Sequence, residues 1–143
     1  MPSFELERRI HAPIDTVWEV LTDHRGYVKW AGVDESVLER EGTSDPNGVG
    51  AVRRIKKGIA GVTEEIVASE KPRTFSYKVV AGPPVRDYLA VVNLTAAGND
   101  TVVHWTVRFE PKLPLTGFVV KRVVKKVVGD LLAGAARESE RRN

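Results

Sequence analysis

The 143-residue chain contains no cysteine. That excludes a disulfide framework, a thiolate zinc site, an iron–sulfur cluster and a cysteine nucleophile. Long hydrophobic runs are missing too. The first ten residues carry Glu5, Glu7, Arg8 and Arg9 and no apolar stretch of the kind a signal peptide needs. No uncharged stretch approaches the roughly 20 apolar residues that span a bilayer. A cytoplasmic location is the expectation. Histidine is scarce: His11, His24 and His104 are the only three, and none pairs at helical i, i+4 spacing or in a His-Glu-x-x-His motif. Structural or solvent roles are expected for all three, and no metal site. Gly48-Val49-Gly50 precedes a strand pattern and not a helix, so no phosphate loop or cofactor motif is present. There is no Gly-x-Ser-x-Gly element either.

What is present suits one ordinary soluble domain over residues 1–143, with 42% hydrophobic and 29% charged residues. A chain of this size buries about 70% of the surface its unfolded form exposes. The net charge of +3 is unevenly spread. Residues 112–143 hold four Lys, four Arg and three acids, a net +5, which leaves −2 on residues 1–111.

The hydrophobic period marks the elements. Phe4, Leu6 and Ile10 alternate with charged residues, which predicts a half-buried strand. Ile14, Val17, Trp18 and Leu21 then follow helical spacing behind Pro13, and Tyr27, Val28 and Trp30 suggest a second helical turn. Strands are expected at 34–41, 50–57, 62–70, 74–81, 86–96 and 101–110, separated by turn sequences such as Asp45-Pro46-Asn47-Gly48 and Gly98-Asn99-Asp100. Short connections favour antiparallel neighbours. One face, carrying Phe75, Tyr77, Tyr88, Val92, Val103, Trp105 and Phe109, is rich in aromatic and aliphatic groups and needs a cover.

Residues 115–139 supply it. Apolar doublets recur every four residues from Val119-Val120 to Ala135-Ala136. As a strand this stretch would put Lys121-Arg122 and Lys125-Lys126 on both faces, so a helix is predicted despite the valines. Four residues turn about 400°, so the apolar stripe drifts about 40° per doublet, as suits a helix lying across a twisted sheet. The basic quartet is expected opposite the valine stripe.

The order of elements, the Ala12-Pro13-Ile14-Asp15-Thr16-Val17-Trp18 entry to the first helix, the following Asp23 and Trp30, and the Thr101 to Trp105 strand leading to Pro111 together resemble the polyketide cyclase/dehydrase (SRPBCC, START-like) superfamily over essentially the whole chain. The resemblance implies an α+β helix-grip fold: a curved seven-stranded antiparallel sheet wrapped around a long C-terminal helix, two short helices after strand 1, and a hydrophobic cavity between sheet and helix.

Within such a cavity, Trp18, Trp30, Tyr77, Tyr88, Trp105, Phe118 and Val124 are candidate ligand-binding residues, with an aromatic core as the rival reading. By parity with Val62 and Ile66, Glu64 points inward. There it would act as an acid or base, fix a polar ligand group, or pair with Arg53 or Arg54 on the neighbouring strand. The phase of 50–57 is ambiguous, and Arg54 is preferred as the inward arginine. Gly129 and Gly134 thin the helix, leaving cavity volume or allowing close approach to the sheet. Lys121, Arg122, Lys125 and Lys126 form either a solvated face or a contact for an anionic membrane surface. No nucleic-acid reader motif occurs. The expected function is binding of a hydrophobic small molecule, lipid-like, polyketide or aromatic. The alternative is a polyketide cyclase/aromatase-type enzyme using Glu64, Tyr77 and Tyr88, with no cofactor.

Overall fold

A computed structural model describes residues 2–143. Strand β1 (Ser3–Ile10) is followed by helix α1 (Ile14–Thr22), a single 3-10 turn over His24–Gly26 and the short helix α2 (Tyr27–Trp30). Six strands come next: β2 (Glu35–Arg40), β3 (Val52–Lys57), β4 (Ala60–Glu70), β5 (Thr74–Ala81), β6 (Val85–Ala97) and β7 (Asp100–Pro111). The long helix α3 (Gly117–Arg142) ends the chain. Strand order is β1-β7-β6-β5-β4-β3-β2, with every adjacent pair antiparallel. This is the expected seven-stranded sheet with a long C-terminal helix and two short helices behind strand 1.

The local chemistry follows the sequence closely. Pro13 caps α1 in an extended conformation, where its missing N–H costs nothing. Val17, Trp18, Val20 and Leu21 are buried beneath that helix. In β7, Thr101, Val103, Trp105, Val107 and Phe109 are buried and alternate with half-buried or exposed residues, the period-2 signature of a sheet covered on one face. The aromatic groups interlock on that inner face. Trp18 meets Phe75 edge-on at 5.6 Å, and Tyr77 meets Trp105 at 6.3 Å between ring centroids.

Helix α3 departs from expectation in one respect. The doublets do not form a single buried stripe. Val120 and Val124 are half-buried and Val128 is buried, whereas Val119, Val123 and Val127 are 61%, 59% and 53% exposed. Adjacent residues are separated by about 100° around a helix, so in the three valine doublets only one member points at the body, while Ala135 and Ala136 are both buried further along. The basic quartet is therefore not opposite all the valines. Arg122, Lys125 and Lys126 share the solvent side with the outer valines, and Lys121 is half-buried. The C-terminal half of α3 is the well-packed half, with Leu132, Gly134, Ala135, Ala136 and Ser139 buried. A Cβ built on Gly134 would lie 3.1 Å from the Trp30 ring and backbone, so this glycine serves close approach of α3 to α2.

Candidate functional site

The β3–β4 hairpin turns at Gly58-Ile59 and sets Arg53 directly opposite Glu64. Both side chains point to the inner face and are buried, at 2% and 7% exposure. Arg53 Nε and Nη2 each lie 2.7 Å from Glu64 Oε1. Its Nη1 donates to the Tyr27 hydroxyl at 3.1 Å and to His24 Nδ1 at 2.9 Å. The Tyr27 hydroxyl in turn donates to the Leu21 carbonyl at 2.6 Å. The guanidinium lies over the Tyr27 and Tyr77 rings, 5.1 and 5.0 Å from their centroids. A buried charge is tolerable only with this degree of pairing.

The same surroundings set the protonation states. Burial works against the Arg53 charge, but Glu64 and the neighbouring tyrosines more than offset it and raise its pKa. Burial and the Arg53 charge hold His24 neutral, its pKa lowered to about 2 while a backbone contact at Asn47 works the other way. With Nδ1 accepting from Arg53, the neutral ring carries its proton on Nε2. Burial also raises the pKa of Tyr77 and Tyr88, as do the Tyr88 and Glu64 groups at Tyr77 and the Glu64 carboxylate at Tyr88. Both phenols stay protonated, so each hydroxyl retains a proton it can donate.

Trp18, Tyr77, Tyr88 and Trp105 all lie on the inner side of the fold, each 6% exposed or less, within the core they share with Phe75 and Phe109. Trp30 is half-buried against Gly134, and Val124 is half-buried on the inward side of α3. The Trp105 indole Nε1 is buried with no hydrogen-bond partner among the described residues.

Two expected site residues lie elsewhere. Arg54 is on the outer face, paired with Glu35 at 2.9 Å and Glu39 at 3.1 Å, because strand alternation puts its neighbour Arg53 inside. Phe118 is 75% exposed in the first turn of α3, on the side away from the sheet. The sequence did hold the signal for Arg53. A two-residue turn at Gly58-Ile59 pairs residue 57 with 60, hence 53 with 64. Tyr27 gave no such signal, since its role depends on how α2 folds back over β3. The other histidines have ordinary partners: His11 faces Asp100 at 3.2 Å and His104 faces Glu5 at 2.9 Å.

Two open hollows, of about 580 and 600 Å³, lie away from this cluster. One is lined by Glu70, Arg73, Asn93 and His104 and the other by Ser3, Glu5, Leu89 and Arg108. Neither includes a residue of the Arg53–Glu64 cluster or of α3.

Comparison with known proteins agrees with this architecture. A START superfamily protein from Mycobacterium smegmatis superposes with a TM-score of 0.83 at 13% identity, over 99% of both chains. The Zhui aromatase/cyclase from a Streptomyces species superposes with a TM-score of 0.81 at 21% identity, over 99% of this chain and 94% of its own. The protein XoxI from Bacillus cereus gives 0.77 at 19% identity, over 97% and 96% of the two chains. These likenesses establish the helix-grip fold. A search of curated proteins finds no match. Residues 1–140 match the family described as polyketide cyclase/dehydrase and lipid transport, and the chain belongs to that family.

Proposed function

We propose that the protein binds a hydrophobic small molecule, lipid-like, polyketide or aromatic, between the inner sheet face and α3. One observation carries the reading: a charged and hydroxyl-bearing cluster is set into an aromatic surface, beside an indole N–H with no partner among the described residues. Apolar burial would drive binding, at about 25 cal/mol per Å² removed from water. The Trp105 N–H and the protonated Tyr77 and Tyr88 hydroxyls would orient a carbonyl or hydroxyl group of the ligand. The inner rings are closely covered, so a ligand makes room by displacing the N-terminal half of α3, where the inward Val120 and Val124 are only half-buried. The family description, which includes lipid transport, supports the same class of ligand.

Titration with a fatty acid and with an aromatic polyketide mimic, followed by tryptophan fluorescence, tests this. Saturable quenching is expected for one of them. Trp105→Phe keeps an aromatic six-membered ring but removes the indole N–H with its five-membered ring, and should weaken a carbonyl ligand by about three- to tenfold. A folded protein that shows no saturable change with either class contradicts the proposal.

A second reading has its own support. Neutral phenols beside a carboxylate are the groups a cyclase needs, and the family includes cyclases by its description. In an aldol-type ring closure of a poly-β-ketone, Glu64 would take the proton from the carbon between two carbonyls. A tyrosine would donate to the oxygen that develops charge as the carbon–carbon bond forms. Glu64→Gln should abolish turnover of a poly-β-ketone mimic, and unchanged turnover removes Glu64 from the reaction.

A further inference from the structure

The outer side of the N-terminal half of α3 has no role in the site described above, yet its composition is unusual. The approach to the helix and its first three turns expose Leu113 (59%), Leu115 (101%), Phe118 (75%) and the stripe Val119, Val123 and Val127. Monomeric proteins seldom expose so many large apolar side chains together. Leu115 also has φ 67°, a left-handed backbone conformation disfavoured for a side-chain-bearing residue, and it presents its side chain wholly to solvent. Residues 112–127 contain five basic side chains, Lys112, Lys121, Arg122, Lys125 and Lys126, and no acidic one. Around the helix the outer valines form one strip, and Arg122 and Lys126 form the next. The first acid, Asp130, pairs with Lys126 at 3.2 Å at the far end of the patch.

We infer that this face docks on an anionic lipid bilayer, with α3 lying in the interface plane. Apolar side chains would enter the acyl boundary while the flanking Lys and Arg groups meet anionic headgroups, the arrangement that holds amphipathic helices at membrane surfaces. No described helix is long and apolar enough to cross a membrane, so the contact is peripheral. A second copy of the chain is a poorer occupant, because a two-fold interface would set the exposed Arg122, Lys125 and Lys126 charges against their own copies. Nucleic acid would satisfy the charge but leave the leucines, Phe118 and the outer valines exposed. A bilayer matches both properties. This inference does not require the interior ligand, although docking would place the half-buried section of α3 at the lipid surface.

Co-sedimentation with phosphatidylserine/phosphatidylcholine vesicles, against phosphatidylcholine alone, tests it. Binding is expected only with the anionic vesicles and should weaken as salt rises. Each basic side chain near the surface contributes roughly a fivefold change in partitioning, so replacing Arg122, Lys125 and Lys126 with Gln should lower binding on the order of a hundredfold. Leu115→Ser with Phe118→Ser should also weaken it, and circular dichroism should show an unchanged fold because both side chains are exposed. Trp105→Phe should bind vesicles as the parent does, which separates this surface from the interior site. Equal binding to both vesicle types, no binding to anionic vesicles at low salt, tighter retention of a duplex oligonucleotide, or a dimer that Phe118→Ser dissociates would each overturn the inference.

Discussion

Removing Glu64 should destabilise the protein through what it leaves behind. Arg53 is 2% exposed, and among the described residues Glu64 is its only carboxylate partner. Glu64→Leu preserves bulk but strands the guanidinium. The His24 and Tyr27 bonds and the two aromatic faces remain, but no negative charge does. Breaking a buried pair on one side costs about 3–5 kcal/mol. Glu64→Gln keeps an acceptor oxygen and loses only the charge assistance, so about 1.5–3 kcal/mol is expected. The double replacement Arg53→Met with Glu64→Leu removes both charges and fills similar volume. It should recover most of the loss, since well-packed apolar residues often equal or exceed a buried ion pair. Urea unfolding reads this directly, as a fall in midpoint at constant slope for the single variants. A Glu64→Leu cost below about 1 kcal/mol, or a double variant as unstable as the sum of the singles, would refute the reasoning.

Three further outcomes follow from the same geometry. His24 is buried neutral with its pKa lowered from 6.5 to about 2, so the unfolded chain binds the extra proton and stability is fully present only above pH 6.5. Stability should fall with acidification through that value, by about 2 kcal/mol at pH 5, and His24→Asn should flatten this part of the urea-midpoint profile. Arg54→Ala should cost less than about 1 kcal/mol because its pairs with Glu35 and Glu39 are solvent-exposed, whereas Arg53→Ala should be severely destabilising. Gly134→Val should lower stability by about 1–3 kcal/mol through overpacking against Trp30, read as a lower thermal midpoint.

The fold was legible because its signals are local. Turn residues divide the middle of the chain at the ends of six strands, and the switch from period 2 to helical spacing after Ile10 locates α1. The inward direction of Glu64 followed from parity within one strand. Choosing between Arg53 and Arg54 needed the register between two strands, which parity within β3 alone does not supply. The cluster around Arg53 was harder still, because Tyr27 and His24 reach it only after α2 and the turn before it pack against β3. Doublet spacing correctly predicted that α3 is a helix but overestimated how much of it is buried. A face about 100° wide cannot hold both members of every doublet, and the elements that pack on α3, chiefly α1 and β1 with α2 and β7, are distant in sequence and beyond the reach of a pattern within α3. Phe118 was misplaced for the same reason.

The central claim is that the space between the inner sheet face and α3 takes up a hydrophobic molecule. Native mass spectrometry of freshly purified protein addresses it most directly. A stoichiometric adduct of a hydrophobic small molecule is expected, released on unfolding and displaced by the ligand class that quenches tryptophan fluorescence. A bare polypeptide mass that stays bare after incubation with fatty acids and aromatic polyketide mimics would contradict the account.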